Sequence, residues 1–255
     1  MKHILNNITI NYEHFDEVDS TQILARKALD NMSYNEYYLA SASNQKAPIG
    51  TGGKLWHSLS GNLGISLSFI VNAQEHIKLL PFVAAIALNQ FLGNMAIHSN
   101  IKWPNDILVG GRKIAGILTQ SYSGAIKDDP NAVAVCIGVG LNVNASSEDL
   151  QAIDQKATSI FIESNVKYDV MELSKNLGII LIENIQSFLD GKMPNLISLI
   201  NERLEKFENN LVRIKLNEDS SETGVIRKIN HDGTINLKMA DGFEKSFAHG
   251  SISLI

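Results

Sequence analysis

The stretch that decides the fold is IKWPNDILVGGRKIAGIL, residues 101–118. Two apolar runs flank Gly110-Gly111, which can supply the positive φ values of a two-residue hairpin turn. With that pair as the loop, Val109 faces Arg112, Leu108 faces Lys113 and Asp106 faces Ala115. Opposed residues share a sheet face, as do residues two apart, so Lys113 and Asp106 are expected as diagonal neighbours about 7–8 Å apart. Ala115 and Gly116 beside them are too small to fill space, which describes a shallow pocket with one cation and one carboxylate reaching in. The competing reading is an exposed sheet face on which both charges are simply solvated. Two features weigh against it. KWP places a large aromatic and a rigid residue just upstream, and AVAVCIGVGLNVN (132–144) is nearly all apolar until Asn142 and Asn144. A lysine buried beside such a strand needs an anionic partner, and an anionic ligand would serve.

The rest of the chain surrounds this hairpin with mixed structure. Its 255 residues suffice for one large domain or a large and a small one. Forty-four per cent hydrophobic and 19% charged, with a net charge of −5, it has the composition of an ordinary globular protein and an acidity that argues against general binding of a phosphate backbone. No window reaches the roughly 18 apolar residues of a membrane span, and a secretory leader is not evident, so a cytoplasmic protein is expected. The single cysteine, Cys136, reads as a small buried hydrophobe.

Ile4–Phe15 alternates like a strand, and Asp19 or Ser20 is placed to cap a helix over QILARKALDN. YYLASAS and GNLGISLSFIV read as strands around a Gly-rich loop, and IKLLPFVAAIALNQFLGNM reads as a buried helix. Residues 169–208 are helical in pattern. From Leu211 the character changes to short alternating runs broken by His-Asp-Gly and Ala-Asp-Gly turns, a small all-β unit. The expected division is 1–208 and 209–255.

KWPND, GRKIAGIL and GVGLNVN at this spacing resemble the signature blocks of bacterial biotin protein ligases. DST at Asp19–Thr21, a Gly-rich loop ending at Trp56, GNLGISLSF, ATSI at Ala157 and the final β unit fall in the family's order. The resemblance implies an α+β fold: a mixed sheet backed by helices, similar to class II aminoacyl-tRNA synthetases, followed by an SH3-like barrel. It implies activation of biotin by ATP and Mg²⁺ to biotinyl-5′-AMP, then transfer to a lysine of the biotin carboxyl carrier protein of a biotin-dependent carboxylase. By similarity, Lys113 is the central cation and Asp106 a catalytic or Mg²⁺-linked carboxylate. Ser20, Thr21, Gln45, Gly116 and Gly138 would join Lys113 around biotin, and Gly50, Gly53, Lys54, Trp56, Asn105 and Asn142 around the nucleotide. Neither DNA nor membrane is an implied partner; catalytic motifs begin within the first twenty residues, and monomer and homodimer both stay open.

Simple alternatives exist for several of these: helix capping for Ser20 and Thr21, core packing for Trp56 and Trp103. The loop also departs from the family. PIGTGGKLW (48–56) carries Ile49 and Thr51 where arginines are usual, removing bidentate contacts to carboxylate or phosphate. Weaker retention of the adenylate is the expectation. TGGKLWHSLSGNL, with His57, also resembles the Gly-rich segment of lipoate protein ligases, so a lipoate or octanoate ligase is one alternative. A non-catalytic homologue that binds biotin or a carrier is another.

Overall fold

The computed structural model describes residues 2–5, 8–53, 56, 59, 61–72, 74–123, 129–151, 155–205, 210–217 and 219–254. Where one strand was expected over Ile4–Phe15 there are two, β1 (Lys2–Leu5) and β2 (Ile8–Val18), paired antiparallel with Leu5 opposite Ile8. Then come α1 (Thr21–Ala28), β3 (Glu36–Gln45), β4 (Leu63–Val71) and α2 (Leu80–Gly93). The helix expected from Ile77 begins only at Leu80, because residues 74–79 form a 3-10 segment ahead of Pro81. Three strands build the decisive region: β5 (Asn100–Lys102), β6 (Asp106–Val109) and β7 (Arg112–Ser123). β8 (Val133–Leu141) and helices α3 (Ser147–Leu150), α4 (Ile160–Ser164), α5 (Val170–Leu189) and α6 (Leu196–Arg203) follow.

Eight strands form one mixed sheet in the order β1-β2-β3-β4-β8-β7-β6-β5, with β2 and β3 parallel and the other pairs antiparallel. The two faces of its centre differ sharply. Leu63, Ile65, Leu67 and Phe69 of β4 alternate onto the same side as Val135, Ile137, Val139 and Leu141 of β8, where they join the core shared with α2 and α5. The opposite side carries Gly64, Ser66, Ser68, Cys136, Gly138 and Gly140, and α1 packs there through Ala25 and Leu29. β4 is therefore buried along its whole length, which explains its continuous apolar run.

The C-terminal part is a five-stranded antiparallel sheet of β9 (Leu211–Lys215), β10 (Ser221–Ile229), β11 (Ile235–Met239), β12 (Glu244–Phe247) and β13 (Ser251–Leu254), ordered β12-β11-β10-β9-β13. Gly233 and Gly242 adopt positive φ at the two Asp-Gly turns. The α+β architecture expected from the sequence is thus present. The expected boundary at 208/209 lies outside the described residues. No described helix is long and apolar enough to cross a membrane.

Trp103 joins the two sheets. It is 2% exposed, and its indole N–H donates to the carbonyl of Gly233 in the β10–β11 turn at 3.1 Å. Core packing is its role, as the aromatic pattern allowed. Trp103→Ala should cost about 3–5 kcal/mol in chemical denaturation, the usual range for emptying a buried tryptophan site. Cys136 is fully buried, and burial pushes its thiol up to about 12. A raised pKa means less thiolate at every pH below it. At pH 8 the native thiol should be alkylated at least about 100-fold more slowly than in the unfolded chain.

Candidate active site

The hairpin's Gly-Gly turn forms as expected, with Gly110 at φ 54° and Gly111 at φ 73°. Val109 faces Arg112 and Leu108 faces Lys113, also as expected. Beyond that the register slips. Ile107 pairs with Ala115, and Asp106 pairs with Gly116 rather than with Ala115. Ile114 is the extra residue of a β-bulge. The cause is visible in the backbone: the N–H of Lys113 donates to Lys156 and its carbonyl accepts from Thr158, both at 2.9 Å, while Ile114 accepts from Asn142. Residues 156–158 take the bonds that a regular ladder would use.

The bulge changes which face each side chain occupies. Ala115 goes into the core, whereas Lys113, Asp106 and Gly116 share the opposite face. There Lys113 Nζ lies 2.6 Å from Asp106 Oδ1, and Lys102 Nζ lies 3.7 Å from Oδ2. Lys113 and Asp106 are only about one-sixth exposed, at 16% and 15%. The pair is not the solvated strand decoration of the simpler reading. Arg112, next along, turns away to Glu163 at 2.9 Å.

Above these charges is a cavity of about 690 Å³. Its floor is a row of missing side chains: Gly64 faces Gly140, which faces Gly116, which faces Asp106. Trp56 fills part of the space they leave. A Cβ on Gly140 would lie 2.3 Å from Trp56 Cε2, and one on Gly116 would lie 2.9 Å from Cζ3. The ring also sits 5.1 Å from Lys113 Nζ, a cation–π contact. Trp56 is therefore a wall of the cavity, not part of the core.

Of the residues expected at biotin, Ser20, Thr21, Gln45, Lys113, Gly116 and Gly138 all line this cavity. Ser20 precedes α1 without donating or accepting a capping bond, and its buried Oγ has no partner among the described residues. Helix capping is excluded as its role in this geometry. Thr21 holds Gln45 Oε1 through both its N–H and its hydroxyl, at 2.8 and 3.1 Å, and pairs with Ser66 Oγ at 2.8 Å. That grip lays the Gln45 amide over Gly64, where any Cβ would collide.

The nucleotide set is less uniform. Gly50, Trp56, Asn105 and Asn142 line the cavity; Gly53, at φ 76°, is exposed and does not, and Lys54 and His57 lie outside the described residues. Asn142 is 3% exposed and tied at both ends, accepting from Asn62 at 3.1 Å and donating to Thr158 at 2.9 Å. Asn105 donates to Ile117 at 2.9 Å and to Thr51 Oγ1 at 2.8 Å. Thr51, which stands where arginine is usual in the family the sequence resembles, thus anchors the Gly-rich loop to the KWPND turn.

The lining residues that sequence reasoning missed include Gly140, Gln22, Lys102 and Lys215. Gly140 stands two after Gly138, a period-two signal that could have revealed it. Gln22 follows Ser20-Thr21 directly. Lys102 and Lys215 belong to strands whose placement beside the cavity only the tertiary structure shows. Three lysines and Asp106, its only carboxylate among the described residues, give the cavity a local excess of two positive charges in a chain of net charge −5.

The comparisons with known proteins agree with this geometry. The family model described as "Biotin/lipoate A/B protein ligase family" matches residues 15–142. The bifunctional ligase/repressor BirA of Bacillus spizizenii is 36% identical over 159 residues, 60% of this chain and 47% of that protein. A biotin–[acetyl-CoA-carboxylase] ligase of Paracoccus denitrificans is 37% identical over 149 residues, 55% of this chain and 57% of that protein. The chain thus spans about half the length of the curated relatives it matches. In fold it is similar to the biotin protein ligase from Aquifex aeolicus in complex with biotin and ATP, with a TM-score of 0.73 at 24% identity, covering 95% of this chain and 97% of that one. With half its residues, and the whole of the bulged hairpin, inside the matched region, the chain belongs to the biotin/lipoate A/B protein ligase family.

Proposed function

We propose that this protein is a biotin protein ligase: it activates biotin with MgATP and transfers it to a lysine of a biotin carboxyl carrier protein. The observation that carries this reading is the largely buried Lys113–Asp106 pair set under Trp56 on a glycine floor. A biotin carboxylate oxygen attacks the α-phosphorus, a P–O bond forms, and pyrophosphate leaves. The carrier's lysine amine, deprotonated, then attacks the acyl carbon; an amide forms and AMP departs.

Lys113 serves both steps as the cation at the anhydride, its charge offsetting what develops as each leaving group departs. Asp106 holds the ammonium in place, and Lys113 exchanges part of that partnership for the ligand's anionic oxygens. Alignment supplies much of the remaining acceleration: the sheet floor admits the acyl-phosphate close to backbone, with Trp56 against it. Ser20, Thr21, Gln45 and Gly138 surround the ring end of biotin. Gly50, Trp56 and Asn105 flank the adenylate, with Gly53 and Lys54 in the same loop, while Asn142 keeps the adjoining backbone in place.

Asp106 does not fit a resident Mg²⁺, since two ammonium groups already share its carboxylate and no cluster of three acidic, His or Cys ligands exists among the described residues. Mg²⁺ belongs to the substrate, arriving on the phosphates of ATP. The division at 208/209 gives the C-terminal sheet a role as a side wall, through Lys215 and Gly250.

The family description covers lipoate as well as biotin, so lipoate or octanoate is the second reading. The acid that drives ATP–pyrophosphate exchange separates the two. Biotin should drive it and octanoate should not. Lys113→Ala should lower biotin-dependent exchange by about 10²–10³-fold with an unchanged circular dichroism spectrum; near-parent exchange would remove Lys113 from the mechanism. The loop makes a separate expectation. With Ile49 and Thr51 replacing guanidiniums, labelled biotinyl-adenylate should escape measurably when no carrier is present, and complete retention would refute a weakened clamp.

A further inference from the structure

Glu163, on the short helix α4, is largely buried yet does not line the cavity. One of its oxygens, Oε1, takes two donors: the Arg112 guanidinium at 2.9 Å and the Thr158 hydroxyl. Those donors bracket Lys113. Arg112 is its chain neighbour, and Thr158 donates its backbone N–H to the Lys113 carbonyl at 2.9 Å. Thr158 is fully buried and committed at three atoms, since its own carbonyl accepts from the Asn142 amide at 2.9 Å. The segment that imposes the bulge at Ile114 is therefore tied, through a side chain, to the hairpin it distorts.

α4 supplies a fixed post for this tie. Five residues are too few to make a stable helix alone, and the chain leaving β8 secures it. The N–H groups of Ile160 and Phe161 donate to the carbonyls of Asn142 and Val143, at 3.0 and 2.8 Å, and the Ser159 hydroxyl donates to Ala145 at 2.6 Å. Ser159 Oγ also caps the helix, accepting from Ile162 at 3.1 Å. None of these bonds involves Lys113, so Glu163 is placed independently of the cation. Residues 156–158, by contrast, belong to no helix or strand and meet the hairpin through one isolated parallel bridge, Lys113 with Ala157. Without Oε1, Arg112 would turn to water, since it is already half-exposed. The Thr158 hydroxyl would stay buried and unpaired, and the segment would have to shift to satisfy it, taking the Lys113 carbonyl along.

We infer that Glu163 is a positioning residue for Lys113: by accepting from Arg112 and Thr158 at one oxygen, it clamps residues 156–158 onto the bulged strand and so fixes the ammonium over the glycine floor. The inference rests on the ligase reading for its kinetic test, which uses the full chain. Methionine matches glutamate in length without offering an oxygen, and glutamine restores one. Glu163→Met should lower kcat/KM for biotin-dependent ATP–pyrophosphate exchange at least about tenfold, whereas Glu163→Gln should stay within about threefold of the parent. A side chain that merely stabilises the fold would give the same loss whatever stands at position 113. A clamp acting through Lys113 would not: in the Lys113→Ala background, assayed at proportionately higher enzyme concentration, Glu163→Met should change the residual rate by less than about twofold. Amide protection against hydrogen–deuterium exchange gives a second readout that needs no substrate. The amides of Lys113 and Thr158 should lose protection at least about tenfold in Glu163→Met, with those of β4 unchanged. Equal losses in both backgrounds, unchanged protection at those two amides, or a glutamine variant as slow as the methionine one overturns the assignment. Should Glu163→Met fail to fold, Thr158→Val, which removes the hydroxyl at nearly constant shape, enters the same cycle with the same criteria at both backgrounds and both amides. A parent that shows no exchange with biotin overturns the ligase reading itself, and the amide protection then decides the clamp separately.

Discussion

One extra residue in a strand organises this site. Without the bulge at Ile114, parity would send Lys113 to the side of the sheet occupied by Ala115 and Ile117, into the packed core. Desolvating an ammonium there would cost far more than its contact with a single carboxylate returns. Bonds from residues 156–158 to the backbone of Lys113 impose the slip, and the hairpin then delivers cation and carboxylate to the same face within direct contact. The segment carrying Ala157 and Thr158 therefore acts on the chemistry through the backbone. Its contribution would be invisible to an account limited to side chains.

The second ingredient is absence. Gly64, Gly140 and Gly116 form a lateral row across three paired strands, and Ser66 and Gly138 begin the next. Each glycine keeps the ladder while withholding a side chain, so the sheet remains hydrogen-bonded where it floors the cavity. The side chains excluded from this face are gathered on the other, where Ile65, Leu67, Val139 and Ile117 pack against helices. Cavity and core are thus two outcomes of one alternation, with residue size switching in phase with strand period.

Much of this was legible in the sequence, because strand alternation, Gly-Gly and Asp-Gly turns and long apolar helices are local properties. The hairpin, the buried central strands, the small C-terminal β unit and the seclusion of Trp103 and Cys136 all follow from them. What escaped was set by distant partners. The Ile114 bulge depends on residues some forty positions away, so a two-strand argument pairs Asp106 with Ala115. The break between β1 and β2 interrupts a run whose alternation continues through it. Ser20 has the composition of a helix cap yet leaves its hydroxyl uncommitted among the described residues. Asn142 looked like a ligand contact, and the structure shows it as a structural tie, bonded to Asn62 and Thr158. Composition could not distinguish these cases, since the same side-chain chemistry suits both uses.

The complete burial of β4 has a further consequence. A strand pressed between helices on one side and α1 with the cavity on the other has little latitude to adjust, so the floor behaves as a rigid template. Accommodation of differently shaped occupants falls to the roof, built from the Gly-rich loop, Trp56 and the rim of the C-terminal sheet. Divergence in what such a scaffold accepts can then proceed by remodelling the roof alone, while the template beneath it stays the same.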